Sequence, residues 1–149
     1  MEVDLVLVPV DGSDESVTAA EYALTVAAEY DAATHALYVL DEGTVRAIED
    51  GRADPEACAD ESRTFLERVG TMADEAGVAL RTSTAYGFST RVKTRHPGSV
   101  VLDAAEQQAA DFLVVPRESV PGTAGGPGDV LERAAEYVLL YASQPVLSV

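Results

Sequence analysis

Asp111-Phe112-Leu113-Val114-Val115-Pro116-Arg117-Glu118-Ser119 is an apolar, β-branched run that breaks into a polar turn at a proline. The run reads as a buried strand. A Gly/Pro-rich stretch follows over residues 120–128, then an amphipathic helix from about residue 129, then a closing strand in Gln144-Pro145-Val146-Leu147-Ser148-Val149. In α/β proteins a strand, a loop and a helix N-terminus make an anion site when the loop presents backbone N–H groups. Here the first loop position is Pro116, which has no N–H to present.

Working back from this segment, the same alternation recurs. Residues 3–10 form a near-continuous apolar run, as expected of a strand covered on both faces. Gly12-Ser13-Asp14-Glu15 supplies a turn, a cap and two acids for a helix N-terminus. Val17, Ala20, Leu24, Ala27 and Ala28 make the stripe of that helix. A second strand is expected over residues 34–40. Residues 41–55 read as irregular, with a short turn of helix near residues 45–48. The helix holding Cys58 and Phe65 should run to about Ala76 and stop at Gly77. Residues 78–85 alternate as a third strand. Ser99 is placed to cap a helix whose face is Val101, Ala105 and Ala109. The last helix should bury Val130, Leu131, Ala134, Ala135, Val138 and Leu139.

Strand and helix thus alternate to the end of the chain. That order predicts one domain: a single doubly wound parallel sheet of five strands with helices on both faces, Rossmann-like. Right-handed crossovers leave few topologies. Ligands of such sheets sit beyond the strand C-termini, where the strand order reverses.

Composition narrows the partners. The chain has 149 residues, 47% hydrophobic and 6% aromatic, without tryptophan. Alanine and valine must therefore fill much of the core. Asp and Glu total 26 against 10 Lys and Arg, a formal net charge of −16, and Lys93 is the sole lysine. Such a surface repels nucleic acid and anionic membranes. Acidic, lysine-poor, alanine-rich chains resemble those of extreme halophiles; an ordinary acidic protein is the alternative. No apolar run approaches the ~20 residues of a membrane span, and no signal peptide is visible, so a cytoplasmic location is expected. One cysteine, Cys58, excludes an intrachain disulfide; it falls in helical phase with Phe65, Val69, Met72 and Ala76, which predicts a core thiol.

Pro9-Val10-Asp11-Gly12-Ser13, Leu37-Tyr38-Val39-Leu40-Asp41, Ala110-Asp111-Phe112-Leu113-Val114-Val115 and Pro145-Val146-Leu147-Ser148-Val149 stand in an order and spacing that resembles the universal stress protein family. The resemblance implies a five-stranded doubly wound fold of the adenine nucleotide alpha hydrolase-like kind, and a homodimer. The family divides into members that bind ATP and members that do not. In the binders, the aspartate matching Asp11 and the valine matching Val39 contact the adenine side, and Pro9 also stands at a nucleotide-binding position of the family. The phosphates lie on a Gly-x-x-Gly loop followed further on by Gly-Ser or Gly-Thr. Here Pro116 and Ser119 stand at the first two glycine positions, and Glu132-Arg133 stand where Gly-Ser is expected. Pro116 removes a donor, Ser119 does not readily take positive φ, and Glu132 places a carboxylate near a triphosphate. Arg133 compensates in part.

The expectation is a non-catalytic stress-response protein with ATP binding lost or weak. It would need no cofactor, form a homodimer through Pro145, Val146, Leu147, Ser148 and Val149, and act on an unknown protein partner. The alternative is a binder of ATP with Mg that uses a variant loop. An enzyme on a similar fold is the third reading. Asp11 is open between a ligand contact and an Asx-type turn, and Val39 between core and adenine contact. Arg91, Lys93, Arg95 and His96 form the densest cationic cluster, a possible anion loop, with a solvated loop as the plain alternative. No Gly-x-Ser-x-Gly elbow, P-loop lysine or His/Cys metal spacing is present. His35 reads as a packed or surface histidine rather than a base. Glu61, Glu67 and Glu75 read as solvated helix positions.

Overall fold

β1 (Leu5–Val10) is buried along its whole length, as a central parallel strand must be. The computed structural model describes residues 2–40, 42–86, 96–116 and 129–149. After β1 come α1 (Asp14–Tyr30), β2 (Ala33–Leu40), α2 (Glu42–Glu49), α3 (Pro55–Ala76), β3 (Leu80–Tyr86), α4 (Pro97–Gln107), β4 (Phe112–Val115), α5 (Asp129–Tyr141) and β5 (Val146–Ser148). The strands form one five-stranded sheet in the order β3-β2-β1-β4-β5. Every pairing is parallel.

Because side chains alternate along a strand, each strand feeds two cores. Val6, Val8 and Val10 join Ala36, Tyr38 and Val114 beneath α1 and α3, with Ala20, Leu24, Phe65 and Val69. Leu5 and Leu7 join Leu37, Val39, Leu113 and Val115 beneath α4 and α5, with Val101, Leu131, Ala134 and Val138. Each fully buried Val or Leu contributes about 1.5–3 kcal/mol relative to exposure, which suits a chain poor in aromatics.

The strand order reverses at β1. The chain moves from β1 outward to β2 and β3, then returns to β4 on the other side of β1. Alongside β2 the ladder runs from Leu5↔Ala33 to Val10↔Tyr38. Alongside β4 it holds only Val6↔Phe112 and Leu7↔Leu113. The next rung needs an N–H at residue 9, and Pro9 has none. The hydrogen-bonded ladder between β1 and β4 therefore ends before the C-terminal rim, at the switch point of the sheet.

Several local expectations are corrected. The segment after β2 is a helix, α2, rather than largely irregular; Val45 is its buried anchor. Cys58 is half-buried rather than core, and Ala76 is exposed; Phe65, Val69 and Ala73 are the buried residues of α3. Ala28 lies outside the buried face of α1, which instead includes Ser16, Ala19 and Ala23. His96, not Ser99, caps α4, with Pro97 in its first turn. Ala109 is exposed, beyond the helix end at φ 56°. Leu139 is 51% exposed; the side chain of Val130 lies outside the described residues. The closing strand spans three residues rather than residues 145–149, all of them half-buried. Gly77 ends α3 as expected. No described helix is long and apolar enough to cross a membrane.

Candidate functional site

Beside the switch point, the turn Asp11-Gly12-Ser13 joins the C-terminal end of β1 to α1. Ser13 is the N-cap of α1: its hydroxyl oxygen accepts from the Ser16 N–H at 3.2 Å, and the Ser16 hydroxyl donates to the Ser13 carbonyl at 2.8 Å. The Asp11 carboxylate in turn accepts from the Ser13 N–H at 3.0 Å and from the Ser13 hydroxyl. An acceptor two residues before its donor is an Asx turn. The Asx turn expected at Asp11 is thus formed. Gly12 takes φ 87°, the left-handed region that favours glycine.

From the next strand, the Tyr38 hydroxyl donates to the Asp11 carbonyl at 3.2 Å. The Tyr38 ring is buried and meets Phe65 edge-on, with centroids 6.0 Å apart. The turn is thus fastened from both sides. The α1 N-terminus already carries Asp11, Asp14 and Glu15. These carboxylates sit where the helix dipole favours negative charge, and they compete with any incoming anion.

Val39 is 1% exposed and packs in the core beneath α4 and α5. Pro9 belongs to β1 and ends the ladder to β4 through its missing donor. Pro116 is buried at the end of β4. Ser119, Arg91, Lys93 and Arg95 lie outside the described residues, as does the side chain of Glu132. Arg133 is exposed on α5. His96 closes the N-terminus of α4, where its Nδ1 accepts from the Gly98 N–H at 3.0 Å. Burial, and then the Arg133 guanidinium, push the His96 pKa below its usual 6.5, while Glu136 pulls the other way. Sequence reading linked neither Tyr38 to the Asp11 turn nor His96 to α5. Both links join residues far apart in the chain.

His35 lies in the body of the sheet, in register with Leu7 and Arg81, and not at the rim. It is buried and shares a 2.7 Å hydrogen bond with Ser83 through Nε2. Burial and the Arg81 charge lower its pKa. This is the packed histidine of the sequence reading. Glu61, Glu67 and Glu75 are exposed on α3. Among the described residues, no three His, Cys, Asp or Glu side chains gather as a metal site requires.

A doubly wound parallel sheet whose strand order reverses at β1 is an α/β protein of the Rossmann-like fold. The chain belongs to the universal stress protein family, whose model matches residues 3–149. It is 33% identical to the universal stress protein MJ0531 of Methanocaldococcus jannaschii over 158 aligned positions, covering 97% of this chain and 80% of the relative. Among solved structures it resembles the universal stress protein UspA from Lactobacillus plantarum, with a TM-score of 0.75 and 20% identity over 100% of this chain and 99% of that one. It also resembles the universal stress protein from Archaeoglobus fulgidus in complex with dAMP, with a TM-score of 0.65 and 19% identity over 99% and 98% of the two chains. At these identities the two structures speak for the fold.

Proposed function

We propose that this is a non-catalytic, cytoplasmic stress-response protein that acts through protein contacts as a homodimer, and that it no longer holds ATP at ordinary strength. One observation carries the reading on ATP: β4 leads into the loop through Pro116, which is buried and has no N–H to offer a phosphate. The Asp11 carboxylate, engaged by Ser13, supports the same reading. Dimerisation rests on β5, an edge strand of three residues that, among the described residues, pairs with β4 and needs a cover. Pairing with the same strand of a second copy closes a two-fold assembly.

The second reading is a nucleotide binder with a reduced phosphate requirement. The Archaeoglobus fulgidus protein binds dAMP, a monophosphate, and that precedent favours it. A ligand with one phosphate asks less of the loop after Pro116 than ATP with Mg does. Calorimetric titration in molar KCl with Mg-ATP and, separately, with AMP tests both readings. The first expects an ATP dissociation constant weaker than about 100 μM, equivalent to roughly −5.5 kcal/mol. ATP binding well below that value sinks it, and tight AMP binding alone selects the second.

A further inference from the structure

His96 is the N-cap of α4, and its ring does two things at once. Its Nδ1 accepts the Gly98 N–H at 3.0 Å. Its face stacks on Tyr137 of α5, with centroids 4.5 Å apart and planes 23° apart. Tyr137 continues to Tyr141, one helical turn on, at 4.6 Å. Gly98 allows the approach: a Cβ there would collide with the Tyr137 side chain. The imidazole therefore closes a helix end and forms part of the α4–α5 seam.

An Nδ1 that accepts a hydrogen bond carries no proton, so the cap exists only with neutral imidazole, protonated on Nε2. Protonation turns Nδ1 into a donor facing the Gly98 N–H, also a donor. The cation would stand at the positive end of the α4 dipole, which disfavours it. The first turn of α4 contains no acid to offset the charge. From α5, Arg133 repels an imidazolium and Glu136 attracts it, while Tyr137 lies against the ring. This is the reverse of an ordinary carboxylate or hydroxyl cap, which stays an acceptor through the physiological range.

We propose that His96 is a proton-operated cap: neutral, it closes α4 and holds the seam with α5; protonated, it releases the end of α4. The cap stands at the C-terminal rim of the sheet, on the crossover that follows β3. Acidification would thus loosen the rim from the α4 side. The device is independent of nucleotide binding.

The test is nuclear magnetic resonance of the whole protein in molar KCl between about pH 8 and pH 4.5. The Gly98 amide shift is expected to move with the same midpoint as the His96 ring signals. Protection of the Gly98 amide, corrected for the intrinsic pH dependence of exchange, should fall about fivefold across that midpoint, as for loss of a typical N-cap worth ~1 kcal/mol. In His96→Asn, a non-titrating cap, Gly98 protection should stay level with pH. Arg133→Gln, on an exposed side chain, should raise the His96 midpoint, and Glu136→Gln should lower it. A Gly98 resonance that stays put while the His96 ring titrates overturns the proposal. So does pH-dependent Gly98 protection that persists unchanged in His96→Asn.

Discussion

The Tyr38 hydroxyl lies 3.0 Å from the point where a side chain on Gly12 would begin, while it donates to the Asp11 carbonyl one residue earlier. A larger residue at position 12 is therefore disfavoured by sterics and by backbone angle together. Gly12→Ala should cost about 1–3 kcal/mol, the range for a non-glycine residue held in a sparsely populated backbone region. Tyr38→Phe should cost about 0.5–1.5 kcal/mol for the lost hydrogen bond. Part of the Gly12→Ala cost should vanish in the Tyr38→Phe background. Denaturant titration in molar KCl reads all three, and strict additivity would show that the hydroxyl contact contributes nothing.

At the opposite end of the sheet, Asp111 Oδ2 accepts from the backbone N–H groups of Asp4 and Leu5, at 2.8 and 3.1 Å. The Asp111 N–H donates back to the Leu5 carbonyl at 2.9 Å. This clamp sets the register of β4 on β1, which otherwise share a short ladder. Asp111→Ala should destabilise by about 1.5–3 kcal/mol, as expected for a charged acceptor of two amides. Asp111→Asn, which keeps one acceptor oxygen, should lose less. Equal losses in thermal or denaturant unfolding would contradict the clamp.

Salt should stabilise the fold. The net charge is −16, and the described ion pairs, Arg52–Asp50 and Arg63–Asp60, are both exposed and worth little. Lowering KCl from molar to about 10 mM lengthens the Debye length to roughly 30 Å and unmasks the self-repulsion. Circular dichroism should show a falling melting temperature, ending in loss of structure. An unchanged melting temperature would count against a halophilic design.

Acid should destabilise through His35. Its folded pKa lies below the unfolded 6.5, because of burial and Arg81. The unfolded chain then binds more protons in the window between the two values. Stability is full above pH 6.5 and declines as pH falls from there toward the folded value. His35→Gln should flatten that part of the profile measured by denaturant unfolding. A profile equally steep in the variant would assign the slope elsewhere.

Much of this architecture was legible because burial writes strongly on sequence. β1 and β2 are apolar runs, Ser13 is a cap before two acids, and Gly77 follows a long amphipathic stretch. The failures have physical reasons. α3 has 22 residues and is about 33 Å long, whereas β3, at seven residues, is about 23 Å. Its buried positions run from Phe65 onward, and Cys58 lies before them. Ala109 keeps the helical period of α4 but lies beyond its end, in a left-handed turn. The cap at His96 was missed because histidine ranks low as a cap; Pro97, in the first turn, was the available signal. At the site, Asp11 and Pro116 were visible as residue types, but the hold of Tyr38 on the turn depends on strand register.

The proline in β1 also has a mechanical meaning. With its ladder to β4 cut to two rungs, the sheet is a plate scored along one line: β1, β2 and β3 on one side, β4 and β5 on the other. Across that score the two sides are joined by the Asp111 clamp and by Leu113, Val114 and Val115 in the two cores, so side chains carry what the missing rungs do not.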